Sequence, residues 1–303
     1  MEVPMRDASA FAPGHLTGFF QICDGPEDPL LKGARGSGFS ITYGVHTRVT
    51  AEPAGHSSVT ISINGEVTGA AVSERVVARM VSALERPYRL RVEHDVETPI
   101  GAGFGSSGGG ALSLALALNE ALGLGLSRIE AARAAHIAEI ECRTGLGTVL
   151  AELSGGFGVL VKPGAPGIGE AVKFRHSGLS AVCLPFGPIP TEEALSDPVL
   201  RRRINELGGG FVDELHRDQR PELFMQLSRR FAEHVGLITP RLRAVLDEAD
   251  EAGVPCTMAM FGEVVFSLVE SERADRVVEV FRDAAPGHDI LVAGIDDEGA
   301  RLT

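Results

Sequence analysis

The sequence predicts an α+β fold in two parts, and three observations carry that reading. Short runs rich in β-branched and aromatic residues alternate with helical spacings on both sides of the middle of the chain. The segment Pro163-Gly-Ala-Pro-Gly-Ile-Gly169 interrupts them with the composition of a linker. The 303 residues suffice for about two domains, divided here as 1–165 and 166–303.

Each element follows from local pattern. Gly38–Val49 alternates as a strand, and Val59–Ile63 is a second, closed by the turn pair Asn64-Gly65. Val72, Val76, Val77, Met80, Val81 and Leu84 mark a helix over Gly69–Leu84, and Tyr88–His94 alternates again. After Pro99 comes a glycine-rich segment that opens an Ala/Leu helix ending near Gly123. That helix is apolar on nearly every side, so it belongs in the core. Ser127 and Glu130 form a capping box for the next helix, which runs to about Cys142. Thr144–Phe157 reads as a loop, a short helix and a glycine stop, and Gly158–Val161 as a strand.

Beyond the linker, Ala181–Phe186 is a strand, followed by a helix with Asp197 as cap and Pro198 in its first turn. Helices over Pro221–Val235 and from Thr239-Pro240 follow. Strands near Cys256–Met260 and Val264–Val269, a helix from Glu272 and a strand over Asp289–Val292 complete this half.

Composition excludes several functions. A net charge of −13 argues against a nucleic-acid surface, and of the 28 basic residues only Arg201–Arg203 cluster. The longest apolar run, Ala111–Leu118, is far below the roughly 20 residues that span a bilayer. Met1–Asp7 carries acids and no apolar stretch, so no signal peptide is expected and a cytoplasmic protein is. Cys23, Cys142, Cys183 and Cys256 are scattered without zinc spacing, as reduced thiols would be.

Several motifs overlap in Pro99-Ile-Gly-Ala-Gly-Phe-Gly-Ser-Ser-Gly-Gly-Gly110. Gly103–Gly108 satisfies the dinucleotide pattern GxGxxG, but Pro99 separates the glycines from the strand and no acidic residue ends a second strand about 20 residues on. Gly105–Gly109 satisfies the elbow pattern GxSxG, which would make Ser107 a hydrolase nucleophile; no acid and histidine are marked to serve it. A P-loop fails because no Lys follows the glycines. A phosphate cradle uses every residue. Gly101, Gly103 and Gly105 let the backbone approach a ligand, while Ser106, Ser107, Gly108, Gly109 and Gly110 begin a helix whose free amides suit a di- or triphosphate.

These residues resemble the GHMP kinase family. Its signature P-x-x-x-G-x-G-S-S is matched by Pro99, Gly103, Gly105, Ser106 and Ser107. Its first signature resembles Ala10–Gly18, where Gly14 is matched and His15 stands in the usual lysine position. Its middle signature aligns with Thr144–Gly156, with Thr148 where the family's catalytic aspartate stands. Cys256–Glu263 is a degenerate form of the third glycine loop. Within the family, Ala8–Phe19, Phe224–Ala232 and Met258–Phe266 are similar to archaeal pantoate kinases.

The resemblance implies a ribosomal-protein-S5-like first domain and a ferredoxin-like second one, with ATP and substrate meeting between them. It implies ATP and Mg²⁺ as cofactors, a homodimer, and pantoate or a similar hydroxy acid as acceptor on the route to coenzyme A. Homoserine, shikimate and mevalonate are alternative acceptors, and a non-catalytic nucleotide-binding regulator is an alternative of another class. Pro99, Gly101 and Gly103 through Gly110 are assigned to ATP, and Ser107 with Glu139 (or Glu141) to the metal. The substrate is assigned to Gly14, His15, Arg143 and Thr144, with Lys32 and Arg35 as further candidate cations. His15, Ser107 and Thr148 are the catalytic candidates, with His15 placed to polarise the acceptor hydroxyl; Thr148 cannot act as a carboxylate base, so the proton goes to the γ-phosphate or water, or another residue serves as the base.

Overall fold

The computed structural model describes residues 5–82, 84–189 and 195–303. Met1–Pro4 and Ala83, which fell within sequence expectations, lie outside the described residues.

Two sheets organise the chain. The first begins with a long antiparallel pair, β1 (Arg6–Cys23) and β2 (Gly33–Pro53), bulged between Pro13 and Gly14 and again between Thr17 and Phe19. β3 (Ser58–Ile63) runs parallel to β5 (Tyr88–Val96) and is joined to it through β4 (Glu66–Val67) and the helix α1 (Ala71–Val81). Asn64 and Gly65 both take positive φ, 50° and 85°, as the turn pair demands. With the C-terminal β12 at Arg301–Leu302, the sheet order is β12-β1-β2-β5-β3-β4, with β6 (Phe157–Lys162) on the other end of β2 and β7 (Glu170–Lys173) beside β6.

α2 (Ser106–Leu122), α3 (Arg128–Cys142) and α4 (Thr148–Ser154) pack with α1 on this sheet. The capping box at Ser127 and Glu130 forms as the sequence dictates, and Gly123 ends α2 in the left-handed conformation. As its composition requires, α2 is buried almost throughout.

The second sheet has the order β11-β8-β10-β9, formed by β8 (Leu179–Pro188), β9 (Thr257–Met258), β10 (Gly262–Glu270) and β11 (Leu291–Gly294). α7 (Pro240–Glu251) and α8 (Ala274–Ala284) cover it. α5 (Pro198–Arg217) packs on β1 of the first sheet, and α6 (Pro221–Val235) lies between β1 and the β9 and β10 strands of the second. At Gly208 the α5 backbone lies so close to the Phe20 carbonyl that a Cβ would collide with it.

One core therefore serves both halves. Phe224 of α6 contacts Phe19 and Phe39 from the first sheet and Phe266 from the second, with ring centroids 5.9 to 6.2 Å apart. The first sheet also reaches past residue 165, through β7, and takes in β12 (Arg301–Leu302) beside β1.

β1, β7 and β12 had no clear signal in the sequence. Pro13, Gly14 and Gly18 are poor strand residues, and β1 is extended because β2 pairs along nearly all of it. No helix among the described residues is long and apolar enough to cross a membrane. The four cysteines are free, with Cys183 and Cys256 fully buried.

Candidate active site

The glycine-rich segment crosses from β5 to α2 through three left-handed glycines, Gly101, Gly103 and Gly105, with φ of 75°, 85° and 73°. Gly105 is the N-cap of α2 and offers no side chain, and no acidic residue sits in the first turn. The positive end of a 17-residue helix therefore has no side-chain cap hydrogen bond. The His15 N–H donates to the Phe104 carbonyl at 2.8 Å, which ties this loop to the β1 bulge.

A cavity opens in front of the helix start. Gly101, Gly103, Gly105, Ser106, Ser107 and Gly108 form one wall. Glu139, Thr144 and Thr148 form another, and His15 with Gly38 a third; Met260 and Phe261 enter from the second half of the chain.

Ser107 and Glu139 meet in this cavity. The Ser107 hydroxyl donates to Glu139 Oε1 at 2.6 Å, and the Thr144 hydroxyl donates to the same oxygen at 2.6 Å. Glu139 is only 2% exposed. Burial pushes its carboxyl above the usual range, while the two hydroxyl donors oppose that. Glu141, the alternative, instead pairs with Arg79 and Arg75. A hydroxyl and a carboxylate oxygen beside a phosphate-sized helix terminus are the hard donors that Mg²⁺ takes together with substrate phosphates, so the residues fit that ion.

His15 is 8% exposed, with Nδ1 3.4 Å from Ser40 Oγ. Desolvation lowers its pKa to about 4, so the ring is neutral at pH 7. It cannot supply the permanent charge of a lysine; it can give or take a hydrogen bond.

Other residues assigned from the sequence stand further off. Pro99 supports the turn by accepting from the Ala102 N–H, and Gly109 and Gly110 pack α2 against Val45 and His94. Gly14 sits at the bulge beneath Phe104. Arg143 caps α3 in the left-handed conformation, φ 57°, and is exposed outside the cavity. Lys32 does not line it either. Arg35 binds Asp213, Gln21 and the Val161 carbonyl, linking α5 to the first sheet.

Two cavity-side residues were missed. Lys173 of β7 lines the cavity and donates to the Asp297 carbonyl at 2.7 Å, leaving further ammonium donors. A lysine in an unforeseen short strand gave no signal. Glu152 of α4 is 0% exposed, with both carboxylate oxygens lacking a hydrogen-bond partner among the described residues. Its signal was present: it lies four residues after Thr148, hence on the same helix face.

Comparison with known proteins agrees with this geometry. Residues 72–156 match the family model for the GHMP kinases N terminal domain, and residues 211–287 match that for the GHMP kinases C terminal. The chain is 33% identical to a pantoate kinase of Thermococcus kodakarensis over 285 residues, which covers 93% of this chain and 94% of that one. It is 31% identical to a pantoate kinase of Methanocaldococcus jannaschii, covering 90% and 97%. A solved structure described as a phosphotransferase related to the CoA biosynthesis pathway superposes with a TM-score of 0.88 at 31% identity, covering 98% of both chains.

Proposed function

The chain belongs to the GHMP kinase family, and from that premise we propose that it transfers the γ-phosphoryl group of ATP to the 4-hydroxyl of pantoate, in coenzyme A biosynthesis. The observation that carries the reading is the α2 terminus without a side-chain cap, whose Ser107 hydroxyl donates to Glu139 at the lining of one cavity. The pantoate kinases of T. kodakarensis and M. jannaschii support the choice of acceptor.

Transfer to an alcohol needs alignment and charge neutralisation more than covalent chemistry. In this reading the amides of Ser106, Ser107 and Gly108 cradle the phosphates. Ser107 and Glu139 hold Mg²⁺, which neutralises phosphate charge as it develops. Lys173 faces the pantoate carboxylate, a role for which the sequence offered Arg143, and neutral His15 bonds the acceptor hydroxyl. The hydroxyl oxygen forms the new bond to the γ-phosphorus as the bond to the ADP oxygen breaks.

An ADP-release assay with Mg·ATP and pantoate, homoserine, shikimate and mevalonate tests the proposal. Pantoate is expected to give a kcat/KM at least about tenfold above the others. Turnover of another acid alone would reassign the substrate. Thr148 in the aspartate position favours one second reading, a nucleotide-binding regulator, which would bind ATP and release no ADP with any of the acids. The homodimer belongs to the same proposal and requires a light-scattering mass twice the chain's 31.9 kDa.

A further inference from the structure

We propose that Glu152 is the proton acceptor for the substrate hydroxyl, its carboxylate reaching back one helical turn to the place that an acid at position 148 would fill. The inference rests on the kinase reading and deepens it.

Residues four apart on a helix share a face, and helical side chains lean toward the N-terminus. Thr148 is the first residue of α4 and Glu152 lies one turn on, with a side chain long enough to return over it. Two glycines of the cradle locate the convergence. A Cβ built on Gly105 would stand 2.5 Å from Glu152 Oε1 and 2.9 Å from Thr148 Cγ2. One built on Gly108 would stand 3.0 Å from Glu152 Oε2 and 3.1 Å from the same methyl. The Glu152 carboxylate and the Thr148 side chain therefore adjoin one spot at the start of α2. Gly105, Gly108 and Thr148 all line the cavity. The carboxylate is one wall away from the substrate space and breaks no hydrogen bond on turning into it.

A purely structural role does not explain this residue. An unpaired buried carboxyl costs several kcal/mol by transfer estimates, and a leucine would fill a similar volume without that penalty. No cationic side chain among the described residues hydrogen-bonds it, and the partial positive charge of the α2 terminus is what it adjoins. Among the charged and titratable groups that face α4, Arg128 donates to the Leu153 carbonyl, Lys173 to the Asp297 carbonyl, and Arg35 binds Asp213. His15 is uncharged at neutral pH, and Glu139 repels. Burial, and secondarily that repulsion, raise the Glu152 pKa well above the usual carboxylate value.

The step balances without a further reactant. The acceptor O–H proton passes to Glu152 as the oxygen bonds the γ-phosphorus and ADP departs. The carboxylic acid then releases its proton to solvent.

Glu152→Gln tests this in the full-length protein. The kcat for the acceptor should fall about 100-fold with KM for ATP within a few-fold, and the acid limb of the wild-type kcat–pH profile should disappear. Adding Thr148→Asp to that variant should recover at least about tenfold. Without ATP, the melting temperature of the wild type should drop as pH rises above about 5, by an amount that Glu152→Gln abolishes. Should Glu152→Gln not fold, Glu152→Asp retracts the carboxyl by one methylene and should lose about tenfold in kcat. An active wild type whose Glu152 variants keep kcat within threefold and the same pH profile overturns the inference alone. A wild type that phosphorylates no hydroxy acid overturns the kinase reading and this inference with it.

Discussion

At the scale of residues, protonation is governed by burial. His15 and His94 are both held near pKa 4 by desolvation, and His94 is caught between Thr47 at 2.7 Å and Ser73 at 3.0 Å. A histidine depressed in the folded state binds fewer protons than in the unfolded one, so its contribution is intact above pH 6.5 and lost as pH falls toward 4. Each is expected to remove about 3 kcal/mol by pH 4, seen as a falling melting temperature whose slope shrinks in His94→Gln. Ser107→Ala should lower kcat about 100-fold and raise the Mg²⁺ concentration needed for half-maximal rate. Unchanged kinetics would remove Ser107 from the site. Gly105→Ala forces an L-residue to φ 73° and pushes a methyl against Glu152. A loss of about 2 kcal/mol or more in chemical denaturation, with weakened ATP binding, is the expected result.

At the scale of elements, close backbone approach makes sharp demands. Gly208→Ala places a methyl on the Phe20 carbonyl and must push α5 off β1, so about 2–3 kcal/mol of stability should be lost. A neutral outcome in urea titration would refute that packing. Helices were legible wherever a cap or a stripe announced them: Ser127 with Glu130, Asp197 with Pro198, Thr239 with Pro240. Strands were legible where β-branched residues alternated, as in β3, β5 and β10. β1 was not, because Ala, Pro and Gly become extended there only through a partner more than 20 residues distant in sequence at most registers. The tight glycine turn into α2 was readable from its glycines alone. The spacing of Glu152 from Thr148 put both on one helix face, but that this face turns toward Gly105 needed the fold, and Lys173 depended on β7 joining β6.

At the scale of the whole molecule, the two sheets do not have separate interiors. Phe19 and Phe39 pack on Phe224, which packs on Phe266, so the first sheet is closed by helices and strands of the second half. Calorimetry should accordingly show one unfolding transition. Phe224→Ala should cost about 3–5 kcal/mol and lower that single transition without splitting it; two resolved transitions would contradict the shared core.

The same core has a consequence during synthesis. The glycine-rich segment has been synthesised by residue 110, yet Phe39 waits for Phe266, roughly 200 residues later, and at 5–20 residues per second that is on the order of ten seconds or more. β1 must likewise wait for β12 to cover its outer edge. Through that interval the growing polypeptide presents an aromatic face and an open strand edge, which makes the unfinished chain prone to aggregate and a natural client for chaperones.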